Sequence, residues 1–444
     1  MFISTLNLKP KNVLLLGKVT KYELERSFEQ HTDEKNIHDA LLRKGVDADW
    51  LLARHKIHSE KLSEFQQILR LKGLNVRVAD RNSYTAEAIA WADVIFTAGG
   101  DGTFLMGASK IMDRRKLLVG LNTDPDFSVG YLCLPKSCTR NLSETLDLIL
   151  SGNFDCIWRN RLRVSLLHHI NQNLRFRLLD KRKWVVQEWT SEKLGCPPEH
   201  ILPSAIEREY PLVPQYARTT MVRTSLPLLA LNEVFVGESV SARVSKYELA
   251  VDGVNLLRRK SSGMVVVTGT GSTSWYLQGT ALSPHTVAEV LKVAKAVYVE
   301  RDGERAEYRR HHGSTQSLSV LNRLVEQTNT QNDHLDDSVV REITERYNAR
   351  LPFDSEDKRM AYVVFEPMSD GPVVTKHQPW IWRQGTDMEP SRGYATNLQV
   401  RSLMLDAHLV FDGARAFSFP YGSVAEFSID PSDALCCVRL RNHS

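Results

Sequence analysis

Val94-Ile95-Phe96-Thr97-Ala98-Gly99-Gly100-Asp101-Gly102-Thr103-Phe104 is the stretch on which the fold turns. Its first five residues form an unbroken apolar run, the pattern of a short strand buried on both faces. Residues 104–112 read as a helix, and glycines fill the turn between the two. Working outward, Asn12–Gly17, 74–78 and Leu117–Leu121 are further short apolar runs. Helices are expected over 22–30, 59–71 and Leu142–Leu150, the last with Asn141 or Ser143 as cap and Gly152 just past its end. Strands alternating with helices predict an α/β N-terminal domain, residues 1–152, around a Rossmann-like parallel sheet.

Beyond residue 153 the texture changes. Residues 158–167, 230–236, 247–251, 264–267 and Met360–Phe365 read as strands, and Asp252-Gly253 is a hairpin turn pair. A β-rich domain over 153–430 is expected, with a segment 431–444 free to rejoin the α/β domain. The Pro-rich stretch 192–214 reads as an irregular loop. The polar stretch 301–337 reads as an insertion between two helices, and its Arg309-Arg310-His311-His312 cluster as a solvated surface run.

Composition excludes several classes. In 444 residues, 57 Lys and Arg face 53 Asp and Glu, a net charge of +4. That near balance argues against a nucleic-acid binder. No apolar run is long enough to span a bilayer. The cysteines Cys133, Cys138, Cys156, Cys196, Cys436 and Cys437 form no C-x-x-C knuckle, and no metal site is expected. They read as mostly buried or inert thiols of a reducing compartment. Residues 1–11 carry neither a secretory core nor an Arg-rich transit pattern.

Three motifs could carry chemistry. In Gly99 to Thr103, the glycines offer backbone angles closed to other residues and close approach to the main chain, and the following helix N-terminus suits a phosphate. Asp101, a carboxylate among anion-binding amides, would hold Mg²⁺, accept a proton from an attacking hydroxyl, or simply cap the helix. Asn232-Glu233 sits between apolar runs, so one of the pair faces packed material unless the strand lies at an edge. The amide could read a purine edge or a ribose, and the carboxylate could accept from sugar hydroxyls. Thr268-Gly269-Thr270-Gly271-Ser272-Thr273-Ser274-Trp275 follows another apolar run. It reads as a polar close-approach loop with an indole face for stacking, or as an ordinary loop ending in a core Trp. No Ser-His-Asp or Cys-His arrangement is evident.

In order and separation these motifs resemble those of the NAD kinases. The family's Gly-Gly-Asp-Gly-Thr stands as Gly99 to Thr103, its Asn-acidic pair as Asn232-Glu233, and its Thr-Gly-Ser-Thr-Ala-Tyr loop as Thr270 to Trp275. Gly120 to Pro125, Leu132 to Pro135, Lys260 to Gly263 and Val410-Phe411-Asp412-Gly413 resemble the mitochondrial branch of that family. Ser262 departs from it, standing where most members have Asp before Gly, and so do Ser274 for Ala, Trp275 for Tyr, and a longer loop at Asn122.

The resemblance implies the NAD kinase and diacylglycerol kinase-like fold, an α/β domain plus a β-sandwich C-terminal domain. It implies phosphoryl transfer from ATP, as its Mg²⁺ complex, to the 2′-hydroxyl of the adenosine ribose of NAD. Asp101 would be the catalytic carboxylate. Gly99, Gly100, Gly102, Thr103, Asn122, Asn232, Glu233, Thr270, Gly271, Thr273, Ser274 and Trp275 would bind the nucleotides. A homodimer and a mitochondrial location are implied as well, with no nucleic-acid or membrane partner. A lipid kinase sharing the first motif, and a catalytically silent NAD(P)-binding protein, are the alternative readings.

Overall fold

The computed structural model describes residues 10–28, 34–172, 174–179, 184–188, 198–240, 242–297, 336–368 and 391–441. The expected insertion over 301–337, apart from its last two residues, and Cys196 lie outside them. The chain forms two compact units, Met1–Gly271 with Asp354–Ser444, and Ser272–Phe353.

In the first unit a six-stranded sheet runs in the order Asn75–Ala79, Asn12–Gly17, Val94–Ala98, Leu117–Leu121, Leu435–Leu440, Phe154–Arg159. The first five are parallel and the last is an antiparallel edge. Every residue of Val94–Ala98 and Leu117–Leu121 is buried. Strand alternation explains why: Phe96, Ala98, Val119 and Leu121 face one buried cluster with Phe65, Leu69, Leu142, Leu146 and Ile149 of two helices. Ile95 and Leu118 face the opposite cluster with Ile89, Phe104 and Ala108. Helices cover both faces, which is what made these strands continuous apolar runs.

Two antiparallel sheets complete the unit. One has seven strands and includes Leu162–His169 and Met221–Ala230. The other has eight and includes Glu233–Glu238, Gly263–Val267 and Ala407–Phe411. Leu162, Val164, Leu166 and Leu226 of the former share one core with Val234, Val236, Met264, Leu409 and Phe411 of the latter, a β-sandwich.

The hairpin turn is as expected: Val251 pairs with Val254, and Asp252 and Gly253 take φ of 48° and 80°. Several boundaries differ from the sequence reading. The helix expected over 59–71 begins at Ala48, where Asp47 caps Trp50 N–H at 2.9 Å. A helix Glu34–Arg43 was not expected. Part of the supposed irregular stretch is a helix, Pro203–Glu209, with Pro in its first turn. The helix expected over 104–112 spans Asp101–Ala108, so the glycine loop is its first turn. The strand read over 158–167 breaks at Asn160-Arg161, where the chain leaves the parallel sheet for the sandwich.

Candidate active site

Three adjacent parallel strands place the loops of interest at their carboxyl ends: Lys18 follows Asn12–Gly17, Gly99 follows Val94–Ala98, and Asn122 follows Leu117–Leu121. This is where open α/β sheets take their ligands. Gly100 occupies the N-cap of the helix Asp101–Ala108 without a side-chain cap bond, and its carbonyl accepts Thr103 and Phe104 N–H at 2.9 and 3.2 Å, so the amides of Asp101 and Gly102 are the ones available to an anion.

None of Gly99, Gly100 and Gly102 has a positive φ, which corrects the reading that they supply special backbone angles. They are needed, or not, for space. A Cβ on Gly99 would lie 2.4 Å from Thr103 Oγ1 and 3.0 Å from Lys18 Cβ. On Gly100 the nearest atom is Ser128 Oγ at 3.8 Å, and on Gly102 no atom lies within 4 Å. Gly99 is fixed by the protein's own packing, whereas Gly100 and Gly102 leave open ground beside Asp101.

The Asp101 carboxylate is oriented by the following loop: Oδ2 accepts Tyr131 N–H at 3.0 Å and Oδ1 accepts Leu132 N–H at 2.8 Å. Each oxygen keeps a second lone pair. Asn122 is buried, and both ends of its amide serve its own loop. Nδ2 donates to the Ser128 carbonyl at 2.7 Å, and Oδ1 accepts Asp124 N–H at 3.0 Å. The helix Ala48–Leu71 clamps the same loop from outside. Arg54 pairs with Asp124 at 3.0 Å, and His58 Nδ1 meets Thr123 Oγ1 at 2.9 Å. Burial, with Lys18 alongside, pushes the His58 pKa down to about 4, so the ring stays neutral near pH 7. Arg54 and His58 escaped the sequence reading because their partners lie 65 to 70 positions away.

Asn232-Glu233 falls at a break between Met221–Ala230 and Glu233–Glu238. The edge-strand alternative fails, because Glu233–Glu238 pairs on both sides. Asp412 holds the break: its carboxylate accepts the N–H groups of Leu231, Asn232 and Glu233 at 2.9, 2.8 and 3.1 Å. Burial pushes the Asp412 carboxyl up, and those amides and Arg415 pull it back. Its turn signal, Asp before Gly, was in the sequence, but its role was not. Asn232 is buried and its Oδ1 has no protein partner. An unsatisfied buried amide oxygen calls for a ligand donor.

The Thr268 loop packs against this break. Thr268 N–H donates to the Asn232 carbonyl at 2.9 Å, and a Cβ on Gly271 would lie 2.1 Å from that same oxygen. A Cβ on Gly269 would lie 1.8 Å from the Asp354 carbonyl. Both glycines therefore let backbone pass backbone. Buried Thr270 receives Arg159 Nη1 at 3.4 Å. Phe104, one turn beyond Asp101, and Leu231, next to Asn232, belong to one buried cluster, so the Asp101 helix and the Asn232 break share a face of the parallel sheet.

The remaining motif residues lie in the second compact unit. There Ser272 is buried and its Oγ accepts Phe353 N–H at 3.1 Å, while Thr273 is exposed. Ser274 precedes the helix Trp275–Thr280, and Trp275 is 46% exposed, which removes the core reading of its ring.

The chain is 32% identical to NAD kinase 2, mitochondrial, of Xenopus tropicalis, over 97% of this chain and 91% of the relative. It is 31% identical to the protein of the same name from Homo sapiens, over 97% and 85%. The chain belongs to the NAD kinase family. No family model matches the sequence. Among solved structures, yeast NADH kinase complexed with NADH aligns with a TM-score of 0.47 at 12% identity, over 99% of this chain and 88% of that one. At the family's usual Asp position, this NAD kinase has Ser262, whose Oγ donates to the Glu366 carboxylate. A carboxylate therefore still stands at this point, brought from the end of the neighbouring strand. Among the described residues no cluster of three or more His, Cys, Asp or Glu could hold a metal ion, and no helix is long and apolar enough to cross a membrane.

Proposed function

We propose that this NAD kinase transfers the γ-phosphoryl group of Mg-ATP to the 2′-hydroxyl of the adenosine ribose of NAD. The observation that carries this reading is the Asp101 carboxylate, aimed by two backbone amides beside the open ground at Gly100 and Gly102. Asp101 accepts the hydroxyl proton, the ribose oxygen forms its bond to the γ-phosphorus, and the bond to the β-phosphate oxygen breaks to release ADP. Such a transfer rests on positioning and on neutralising charge. Mg²⁺ enters with ATP as part of the substrate.

In this reading the amides of Gly100 and Gly102 receive phosphate, with Gly99 shaping their turn and Thr103 closing it through its N–H on the Gly100 carbonyl at 2.9 Å. Asn232 Oδ1 and Glu233 hold the nucleoside, and Asn122 maintains the loop that aims Asp101. Thr270, Gly271, Thr273, Ser274 and Trp275 are the remaining residues assigned to nucleotide binding. The motifs divide between an α/β domain over 1–152, to whose sheet Phe154–Arg159 and the returning Leu435–Leu440 are added, and a β-rich domain over the rest of 153–430. We further propose a mitochondrial location, supported by the names of the relatives, and a homodimer.

The test is direct. Purified protein with Mg-ATP and NAD should form NADP and ADP in equal amounts, read by an NADP-specific dehydrogenase. ADP formed with a diacylglycerol and not with NAD would establish the lipid kinase instead. NAD binding with neither product would establish the silent binder. Sedimentation of the same preparation tests the dimer.

A further inference from the structure

The edge strand Phe154–Arg159 lies antiparallel to Leu435–Leu440, with Cys156 opposite Val438 and Cys436 opposite Trp158. Cys156 and Cys436 are therefore diagonal neighbours, and both belong to the cluster on one face of the sheet. Cys437 belongs to the cluster on the other face. The two thiols therefore stand on one face of the sheet, one diagonal step of the ladder apart. Cys156 is partly exposed, while Cys436 is buried.

We propose that Cys156 and Cys436 are an oxidative modification site, a dithiol that a peroxide converts to an intrachain disulfide. Cys156 is the thiol that attacks. The neighbouring Cys436 thiol lowers its pKa, against the opposing effects of burial and Asp155. Solvent reaches it, and the thiolate is the nucleophile. Its sulfur takes one oxygen from the peroxide, giving a sulfenic acid and water when the oxidant is hydrogen peroxide. The Cys436 thiol then attacks that sulfur, and the sulfenic oxygen leaves as a second water with the Cys436 proton. Two thiols and one peroxide become one disulfide and two waters. Cys436, buried behind the exposed edge where Cys156 meets solvent, is the resolving thiol.

Diagonal pairs start about 7 Å apart at Cα, slightly beyond the usual disulfide span. Among the described residues Phe154–Arg159 has a ladder neighbour on one side, with Trp158 N–H donating to Glu356 Oε1 at 3.0 Å, so it can close that gap without breaking a second ladder. The cross-link would join residues 280 positions apart (436 minus 156) and fasten the inserted strand Leu435–Leu440 to the sheet edge. Closing so long a loop restricts the unfolded chain.

The experiment treats the full chain with hydrogen peroxide, alkylates the remaining thiols and maps unreduced peptides by mass. The expected result is a Cys156–Cys436 cross-linked pair, reversed by dithiothreitol, with the thermal midpoint raised by a few degrees. Cys437→Ser should keep both effects, and Cys156→Ser should lose both. Recovery of Cys156 and Cys436 as separately alkylated or over-oxidised residues would overturn the proposal. So would a bridge through Cys437 or between two molecules.

Discussion

At Gly102 a methyl group would meet no protein atom within 4 Å, whereas at Gly99 it would sit 2.4 Å from Thr103 Oγ1. The two positions therefore separate what the fold needs from what the substrate needs. Gly99→Ala should lower stability by about 1–3 kcal/mol, the usual range for overpacking, measured by urea unfolding. Gly102→Ala lies in the first helical turn, where Ala is favoured by up to ~1 kcal/mol. It should leave stability equal or higher while cutting turnover at least tenfold, because the added methyl stands where phosphate must come. A Gly102→Ala enzyme with normal turnover would remove the phosphate from this loop. At Asp101 the isosteric amide tests the proton acceptor. Asp101→Asn should keep NAD affinity and lose no more than ~1–2 kcal/mol of stability for one disturbed amide contact. Its turnover should drop by more than ~100-fold, the usual worth of a positioned acid–base group. These residues were legible because a Gly-Gly-Asp-Gly run after an apolar strand is local. Why each glycine is there was not legible, since it depends on what stands opposite.

The helix Ala48–Leu71 and the loop 122–132 act as a pair, and the loop in turn aims Asp101. Their seam contains neutral, buried His58, so it responds to acid. The His58 pKa is about 4 in the folded chain against an ordinary 6.5, so between those values the unfolded chain takes up a proton that the folded chain refuses. Stability is thus unaffected by this group above about pH 6.5 and falls as pH drops toward 4, by roughly 3 kcal/mol in total. His58→Asn should be less stable than the parent at pH 7.5, yet the gap in thermal midpoint should narrow steadily down to pH 4.5. A gap that stays constant across that range would show that His58 is not held neutral. The sequence revealed this helix only from residue 59, because its N-terminal half has a mixed polar surface and its Asp47 cap was not recognised. The strands were read closely, because burial on both faces writes itself into every residue. The break at Asn232 was read as continuous strand, because the carboxylate that splits it comes from Asp412, 180 positions later.

The first compact unit is threaded twice between its parallel sheet and its sandwich, at Asn160-Arg161 on the way out and at 430–434 on the way back. Nothing local in Leu435-Cys436-Cys437-Val438 says that this strand belongs beside Leu117–Leu121, more than 300 positions earlier. The structure joins the two crossings with arginines. Arg161, fully buried, donates Nε to the Asp433 carbonyl at 2.6 Å and Nη1 to the Ala108 and Ile111 carbonyls at 3.1 and 2.6 Å. Arg163 grips the Asp433 carboxylate through Nε and Nη2. One guanidinium therefore ties the returning chain to the C-terminal end of the helix whose first residue is Asp101. Arg161→Leu fills much of the volume but leaves the Asp433 and Ile111 carbonyls without their donor and the Ala108 carbonyl with Ile111 N–H alone, a loss of about 3 kcal/mol. Arg161→Lys should recover little of it, since a compact ammonium cannot reproduce the planar spread of donors. Because Arg161 sits at the far end of that helix from Asp101, turnover per folded molecule should stay close to the parent's at low temperature, with thermal inactivation brought forward. Chemical unfolding combined with initial rates at 10 °C separates the two effects. Loss of turnover at full folding would mean that the end of the helix controls the aim of its first carboxylate. Unchanged unfolding would mean that the crossing is held by Arg163 and the sheet alone.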